Sequence, residues 1–355
     1  MVDSDYSTLI GLVSQYSPSG HEGEAVEWLT VRMRSLGYDH AFIDDAGNAI
    51  GIMGNGVRQV IFLGHIDTVP GEIPVRVEGG VLHGRGSVDA KGPLASFVDA
   101  VAQFGKAEGW QFVVIGAVEE ERNSEGARYV ANQYKPDFAV IGEPNHWDRI
   151  ALGYKGSAWA NIIVQQAQAH TASGEKTACE SSVEAWLEIK SYADSFNADR
   201  QRTFDKILPT LRGMDSDSSD FVQQAQLKVG TRLPTDVSPD DWYKRISEIL
   251  KAPESVNVSI EPMGFPVPAW ECDKNTALVR AFLSGIRSQV GEPRFVYKSG
   301  TSDLNIVAPI WKCPALVYGP GDSNLDHTPH EHIELSEYLK AIRVLCEGMK
   351  KLTGH

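Results

Sequence analysis

The sequence predicts an α/β protein: a domain with a central, mostly parallel sheet, interrupted by an inserted α+β domain of ferredoxin-like topology. Three observations carry this. Up to about residue 150, apolar strand-like runs alternate with helical spacing, as strand–crossover–strand units do. A later stretch follows the order β-α-β-β-α-β, the split pattern of a small two-layer sandwich. At 355 residues the chain is too long for one ordinary hydrophobic core, so two domains are expected.

Taken in order, Val60–Gly64 is a buried-strand run ending in glycine, and Phe112–Val118 and Phe138–Gly142 are two more. Between them, 93–104 and 125–134 have helical spacing, and Pro93 suits a first helical turn. The pattern changes after Gly156. Ser157–Gln165 reads as a strand, Ala178–Phe196 as a helix, and Ile207–Leu211 and Ala225–Leu233 as strands. Asp240–Leu250 reads as a helix begun by Ser238 and Pro239, and Val256–Ile260 as a strand. The inserted domain is therefore placed at 156–265, and 1–155 with 266–355 form the larger domain. There the pattern resumes with a helix from Thr276, strands near Phe295 and at Ala315–Tyr318, and a last helix from Ser336.

Composition narrows the function. A formal net charge of -14 argues against a nucleic-acid partner, which requires a basic face for phosphates. No run of about 18 apolar residues occurs, so no membrane span is expected. The opening MVDSDYSTLI lacks the basic start and apolar core of a signal peptide, so a cytoplasmic location is expected. Cys179, Cys272, Cys313 and Cys346 are scattered, with no C-x-x-C. Reduced, mostly buried thiols fit this best; a Cys–His nucleophile is the alternative, but no glycine-rich turn presents one.

The residues that carry chemistry follow predicted strands of one sheet, where ligands gather in open α/β folds. His65 and Asp67 lie two apart on an extended segment and point to one side. The imidazole suits a metal ion and the carboxylate suits its second ring nitrogen, although a loop histidine beside a capping Asp reads as well. Asp89, in GRGSVDAKG, stands at the mouth of the next helix, as a carboxylate bridging two ions or as an N-cap. Glu119, Glu120 and Glu121 end an apolar strand. Adjacent carboxylates there repel and resist desolvation unless a cation turns repulsion into ligation; a solvated turn is the plainer reading. Glu143 ends the third strand in the same way, and DHTPHEHIE offers a further histidine or simply a polar loop. Mixed imidazole and carboxylate ligands suit Zn²⁺ or similar ions, and two ions need a shared carboxylate. Together the residues describe a two-metal hydrolase with a spare glutamate as general base.

GHIDTVP, GRGSVDAKGP, VEEERNSEGARY, GEPN and DHTPHEHIE, in this order and over nearly the whole chain, resemble the dinuclear zinc amidohydrolase and aminopeptidase family. That family includes acetylornithine deacetylase, succinyl-diaminopimelate desuccinylase and the glutamate-releasing carboxypeptidases. The resemblance implies a metallopeptidase-like catalytic domain, an inserted lid or dimerisation domain, and a homodimer formed through that lid. It implies two divalent ions, Zn²⁺ first, with Co²⁺ able to substitute. His65, Asp89, Glu121, Glu143 and His327 would be the metal ligands, Asp89 bridging, with Asp67 orienting His65 and Glu120 acting as base. The family's Asp-Glu-Glu is Glu119-Glu120-Glu121 here, in a register set by Gly126; the Glu at its first position departs from the pattern. His327 is preferred to His330 and His332 because it stands four residues before Glu331. His170 matches a lid histidine that donates to the oxyanion, often from a partner subunit. Arg232 matches a lid arginine that binds a substrate carboxylate. Gly300, Thr301 and Ser302 match a substrate-contacting turn, or else cap the following helix.

Within the family, the spacer in GHIDTVPGEIPVRVEGGVLHGRGSVDAKGPLA and the run EPNHWDRIALGYKG resemble one branch. Its members free lysine, or ornithine, from the γ-carboxyl of the C-terminal glutamate of an amino-group carrier protein, in lysine and arginine biosynthesis. An acidic carrier calls for a basic patch. Acidic residues outnumber basic ones between 156 and 265, yet Arg200, Arg202, Lys206, Arg212 and Arg232 cluster there. Deacetylation of free N-acetylornithine or N-acetyl-lysine is the alternative, with a dipeptidase third and a metal-free scaffold last. Asp303 and Glu271 are candidate partners for the substrate amine.

Overall fold

The computed structural model describes residues 6–168, 170, 172–251 and 255–354. It divides into two compact units: Met1–Gly153, Cys272–Tyr297 and Ser302–His355 form the first, and Tyr154–Glu271 with Lys298–Thr301 the second. The second is wider than the 156–265 read from the sequence. Its last long strand, Val256–Val267, runs past the expected end, and a returning segment joins it.

In the first unit four strands pair in parallel, in the order Trp110–Ala117, Arg58–His65, Phe138–Gly142 and Ala315–Val317. Nearly every residue of these runs is buried, the signature of strands covered on both faces. Parallel pairing stops at the flanks. Ala49–Met53 is antiparallel to Trp110–Ala117, His40–Ile43 is antiparallel to Ala49–Met53, and Arg149–Tyr154 is antiparallel to Ala315–Val317. The helix Lys91–Phe104 packs on Arg58–His65, and the last helix, Leu335–Thr353, packs on it and on Ala277–Ser288. All four parallel strands therefore aim their carboxyl ends to one side, where His65, Glu119–Glu121 and Glu143 stand; Asp89 reaches His65 from the loop after Val81–His83, a strand of a separate small sheet.

The second unit is a four-stranded antiparallel sheet in the order Leu208–Ser219, Val222–Leu233, Gly156–Ala167, Val256–Val267. Ala178–Asn197 begins with a capping box between Thr177 and Glu180, and Pro239–Ile249 with a Ser238 cap and Pro239 in its first turn. Ile162, Ile189, Leu227, Trp242 and Ile246 form its core. The four cysteines are free thiols, and burial pushes Cys313 up to about 11, which disfavours a thiolate nucleophile there. Among the described residues no helix is long and apolar enough to cross a membrane.

Candidate metal centre

His65 is the last residue of its strand and is buried. Its Nδ1 lies 3.0 Å from the Asp67 carbonyl and its Nε2 3.1 Å from Asp89 Oδ1. Asp67, fully buried, accepts hydrogen bonds from the Glu120 and Glu121 amides, at 3.0 Å each, and from Ser19 Oγ at 2.7 Å. One carboxylate thus orients the imidazole and fixes the backbone of two of the three glutamates. Glu22 performs a smaller version of this task, accepting from the amides of Gly20 and Glu119.

Gly126 shows why the glutamate turn has this shape. A Cβ there would lie 2.2 Å from Asn48 Oδ1 and 2.6 Å from the Val118 nitrogen. Only glycine lets the helix Glu125–Gln133 start this close to the strand end. Asp89 is reached by a loop whose Asp89–Ala90 peptide is cis. It is held by Glu331, which accepts from the Val88 amide at 2.9 Å, the Asp89 amide at 3.0 Å and Arg85 Nη1 at 2.8 Å. His327 arrives from the far end of the chain, its Nε2 3.1 Å from Asp89 Oδ2 and 2.9 Å from Glu121 Oε1.

Among the described residues, three groups of ligand atoms each fall within 4.8 Å: His65, Asp89 and Glu143; Asp89, Glu121 and His327; and His65, Glu120 and Glu121. The first two share only Asp89, with one oxygen toward each histidine. Glu119, His330 and His332 belong to none of these groups. The donor set fits divalent cations. Burial raises Glu120 and Glu143 well above the ordinary carboxylate range; the charges of Glu143, Asp303 and Glu121 add to it at Glu120, those of Asp89, Asp303 and Asp326 at Glu143, and His65 opposes both. Burial also raises Asp303, to about 7, with Ser124 and Arg128 lowering it. Carboxylates so crowded, with two imidazoles against them, are what a metal ion relieves.

Burial works against charge on His65, but Asp67 and Asp89 outweigh it and hold the imidazole well above its ordinary value. Hydrogen bonds to Asp89 and Glu121 raise His327 to about 10, against burial. Without metal, this pairing stabilises the fold fully below about pH 6.5 and fades as pH rises through about 10. An ion must displace that proton. Metal uptake is therefore expected to release protons, and affinity to rise between pH 6 and 8 by up to about tenfold per unit for each proton displaced. Zinc titration in two buffers of different ionisation enthalpy checks this; a pH-independent affinity would contradict it. His327→Ala is expected to lower the metal content from two ions toward one, while His330→Ala leaves it unchanged, measured by elemental analysis.

The remaining sequence candidates lie elsewhere. His170, in the second unit, is exposed, and its Nδ1 accepts from the Ala172 amide at 3.1 Å. Arg232 is in the strand Val222–Leu233, and its Nη1 donates to Thr301 Oγ1 at 3.2 Å. Ser302 Oγ accepts from the Leu304 amide at 3.3 Å, and its own amide donates to Asn305 Oδ1; the N-cap of the helix that follows is Asp303, without a side-chain cap. Glu271 lies 3.6 Å from Arg202, and Arg202 and Arg200 pair with Asp205 and Asp236. Arg212 instead lies over Trp159, as does Lys228, which sequence reading left out of the cluster.

Reading the sequence also missed Ser19, Arg85 and Lys91. Lys91 is fully buried, donates to the Gln15 carbonyl, and is pushed down to about 7 by burial. Glu331 entered only as a spacing marker. A signal for Arg85 and Glu331 did exist: one charge of each sign flanking the metal-type motifs.

A parallel sheet whose strand ends gather imidazoles and carboxylates around one shared aspartate defines a metal-type hydrolase. Residues 61–351 match the model of peptidase family M20/M25/M40, and the chain belongs to that family. It is accordingly a hydrolase acting on amide bonds. It is 42% identical over 349 residues to the LysW-lysine hydrolase of Deinococcus radiodurans, covering 96% of this chain and 95% of that one. It is 29% identical over 345 residues to the LysW-lysine/LysW-ornithine hydrolase of Saccharolobus solfataricus, covering 97% and 94%. Among solved structures it is similar to the aminopeptidase PepT of Bacillus cereus, with a TM-score of 0.81 at 18% identity, covering 99% and 98%. It is also similar to YXEP of Bacillus subtilis, described as a dinuclear metal binding peptidase of the M20 family, with a TM-score of 0.73 at 12% identity, covering 97% and 96%.

Proposed function

We propose that this protein hydrolyses the amide joining lysine, or ornithine, to the γ-carboxyl of the C-terminal glutamate of an amino-group carrier protein. The similarity to the Deinococcus radiodurans LysW-lysine hydrolase, 42% identical over nearly the full length of both chains, carries this reading. His65, Asp89 and Glu143 would hold one divalent ion and Asp89, Glu121 and His327 a second, Zn²⁺ by preference, with Co²⁺ an alternative. When bound, such ions supply a nucleophile at neutral pH and Lewis acidity at the amide oxygen. Glu120, half-buried beside His65, takes the proton of the attacking water and returns it to the leaving amine. Asp67 keeps His65 in one orientation and holds the Glu120 amide, so the base is set before substrate arrives.

Arg232 offers a guanidinium for a substrate carboxylate, Gly300, Thr301 and Ser302 a turn for substrate contact, and His170 an imidazole for the developing oxyanion. Arg212 and Lys228, both exposed, give the acidic carrier cationic partners. A homodimer through the second unit is supported by Val183 and Leu187, exposed four residues apart on one helix, and by Phe221, 85% exposed. A cytoplasmic location fits a biosynthetic hydrolase.

The deciding experiment offers zinc-loaded enzyme four substrates: carrier-linked lysine, carrier-linked ornithine, N-acetyl-lysine and N-acetylornithine, with a chelated control. Release from the carrier conjugates alone, abolished by chelator, is the expected result. Faster release from the acetylated amino acids would make the protein a small-molecule deacetylase.

A further inference from the structure

Apart from the centre described above, the first unit has a second meeting of histidines. The strands Val81–His83 and His332–Glu334 pair antiparallel, with His332 directly opposite His83. Their rings face each other at 5.3 Å between centroids, tilted by 36°. We propose that His83 and His332 form a third divalent-cation site, taking Zn²⁺ or another ion that prefers imidazole, with water completing the coordination.

The spacing is the first argument. Two imidazoles bound to one tetrahedral ion, with Zn–N near 2.0–2.1 Å, bring their ring centres to about 5 Å. The rings already stand at that separation. The tautomer is the second. His332 Nδ1 lies 2.6 Å from the His330 carbonyl, which only accepts, so Nδ1 is the donor there and Nε2 is the nitrogen left for an ion. Metal-ligating histidines are commonly fixed through the other ring nitrogen in this way. Third, the pair is rigidly based, because Leu82 and Ile333, on the opposite face of the same two strands, are buried. Both histidines are only partly exposed, so little side-chain freedom is left to lose on binding.

Neighbouring charge has been accommodated. Arg76 pairs with His83 from the other side, but its Nε is 3.4 Å from Glu78 Oε1. Burial, Arg76 and His332 hold His83 below its ordinary value against the charge of Glu78, which favours the neutral form over the protonated one. The site also has a position with consequences. Val81–His83 runs directly into the loop of Asp89, and His332–Glu334 directly follows Glu331 and the loop of His327. An ion held between the two strands would clip together the segments that deliver these residues.

The test adds Zn²⁺ at controlled free concentration to enzyme already carrying its first two equivalents. The expected result is a third equivalent bound by the wild type, with a higher Tm at saturation. His83→Asn or His332→Asn should weaken that third equivalent by at least about tenfold, since losing a ligand should cost no less than losing an outer-shell partner. Both variants should keep the first two equivalents and full turnover. His330→Asn, whose ring takes no part, should behave as wild type. A wild type that stops at two ions overturns the proposal, as does a third ion that survives both substitutions or is lost equally on His330→Asn.

Discussion

Replacing Glu120 by Gln is expected to lower turnover by about 10²–10⁴-fold, the range for removing a general acid–base, while both metal ions stay bound. Glutamine keeps the shape and volume of the side chain and loses only the proton acceptor. The amide of residue 120 would still donate to Asp67, and the ligand sets around Asp89 do not require it. The position is tuned for proton transfer: burial and the charges of Glu143, Asp303 and Glu121 raise its proton affinity, and His65 opposes them. Single-turnover rates on carrier-linked substrate, alongside elemental analysis, check this. Full activity in Glu120→Gln would remove residue 120 from the proton path and sink the mechanism. Glu119 is the residue to test next in that event, although its carboxylate belongs to none of the three ligand groups.

Glu331→Ala is expected to destabilise the protein by about 3–5 kcal/mol, the penalty for leaving half of a buried ion pair alone. Glu331 is 1% exposed and Arg85 7%. The alanine variant would leave Arg85 Nη1 and two backbone amides, those of Val88 and Asp89, without their acceptor, Arg85 keeping only its Nε bond to the Gly71 carbonyl. Burial raises Glu331 despite these bonds, so the pair is no large source of stability in itself; the damage comes from breaking it. Because Glu331 holds the Asp89 amide, metal content should fall too. Urea unfolding of metal-free and metal-loaded protein separates the two effects. A loss below about 1 kcal/mol in both forms would mean that water replaces the carboxylate and that the site is softer than its burial indicates.

How far these residues could be read beforehand depends on what fixes them. The parallel strands were legible because covering both faces demands continuous apolar runs, as in Phe112–Val118. The split pattern of the second unit was legible because two capped helices separated its strands. The hairpin between Leu208 and Leu233 was read too short. Its outer half, Asp215 to Ser219, is exposed and polar, so no alternation marks it as strand. The helix after the 300–302 turn was anticipated only as something that turn could cap, without bounds, because Leu304–Trp311 is short, apolar nearly all round and has Pro309 inside, leaving no period to fix its extent. At the site, ligand types showed in the motifs because metal chemistry restricts them. Of the braces, Ser19 and Glu22 left no mark and Arg85 and Glu331 only a charge of each sign beside the motifs, since all four act through contacts across 48 to 246 residues of chain. Which two of the three glutamates join the ligand groups depended on Asp67 holding their amides, a fact of geometry rather than of composition.

The shared aspartate also sets a timetable. His65, Asp89 and Glu143 emerge from the ribosome well before His327. At ~5–20 residues per second, the interval is on the order of ten to forty seconds. The nascent chain therefore owns every donor of one ligand group while the other lacks its histidine, and the whole second unit is made in between. The early group has its donors first, but the loop of Asp89 gains its Glu331 brace, and the late group its histidine, only when the C-terminal segment folds back.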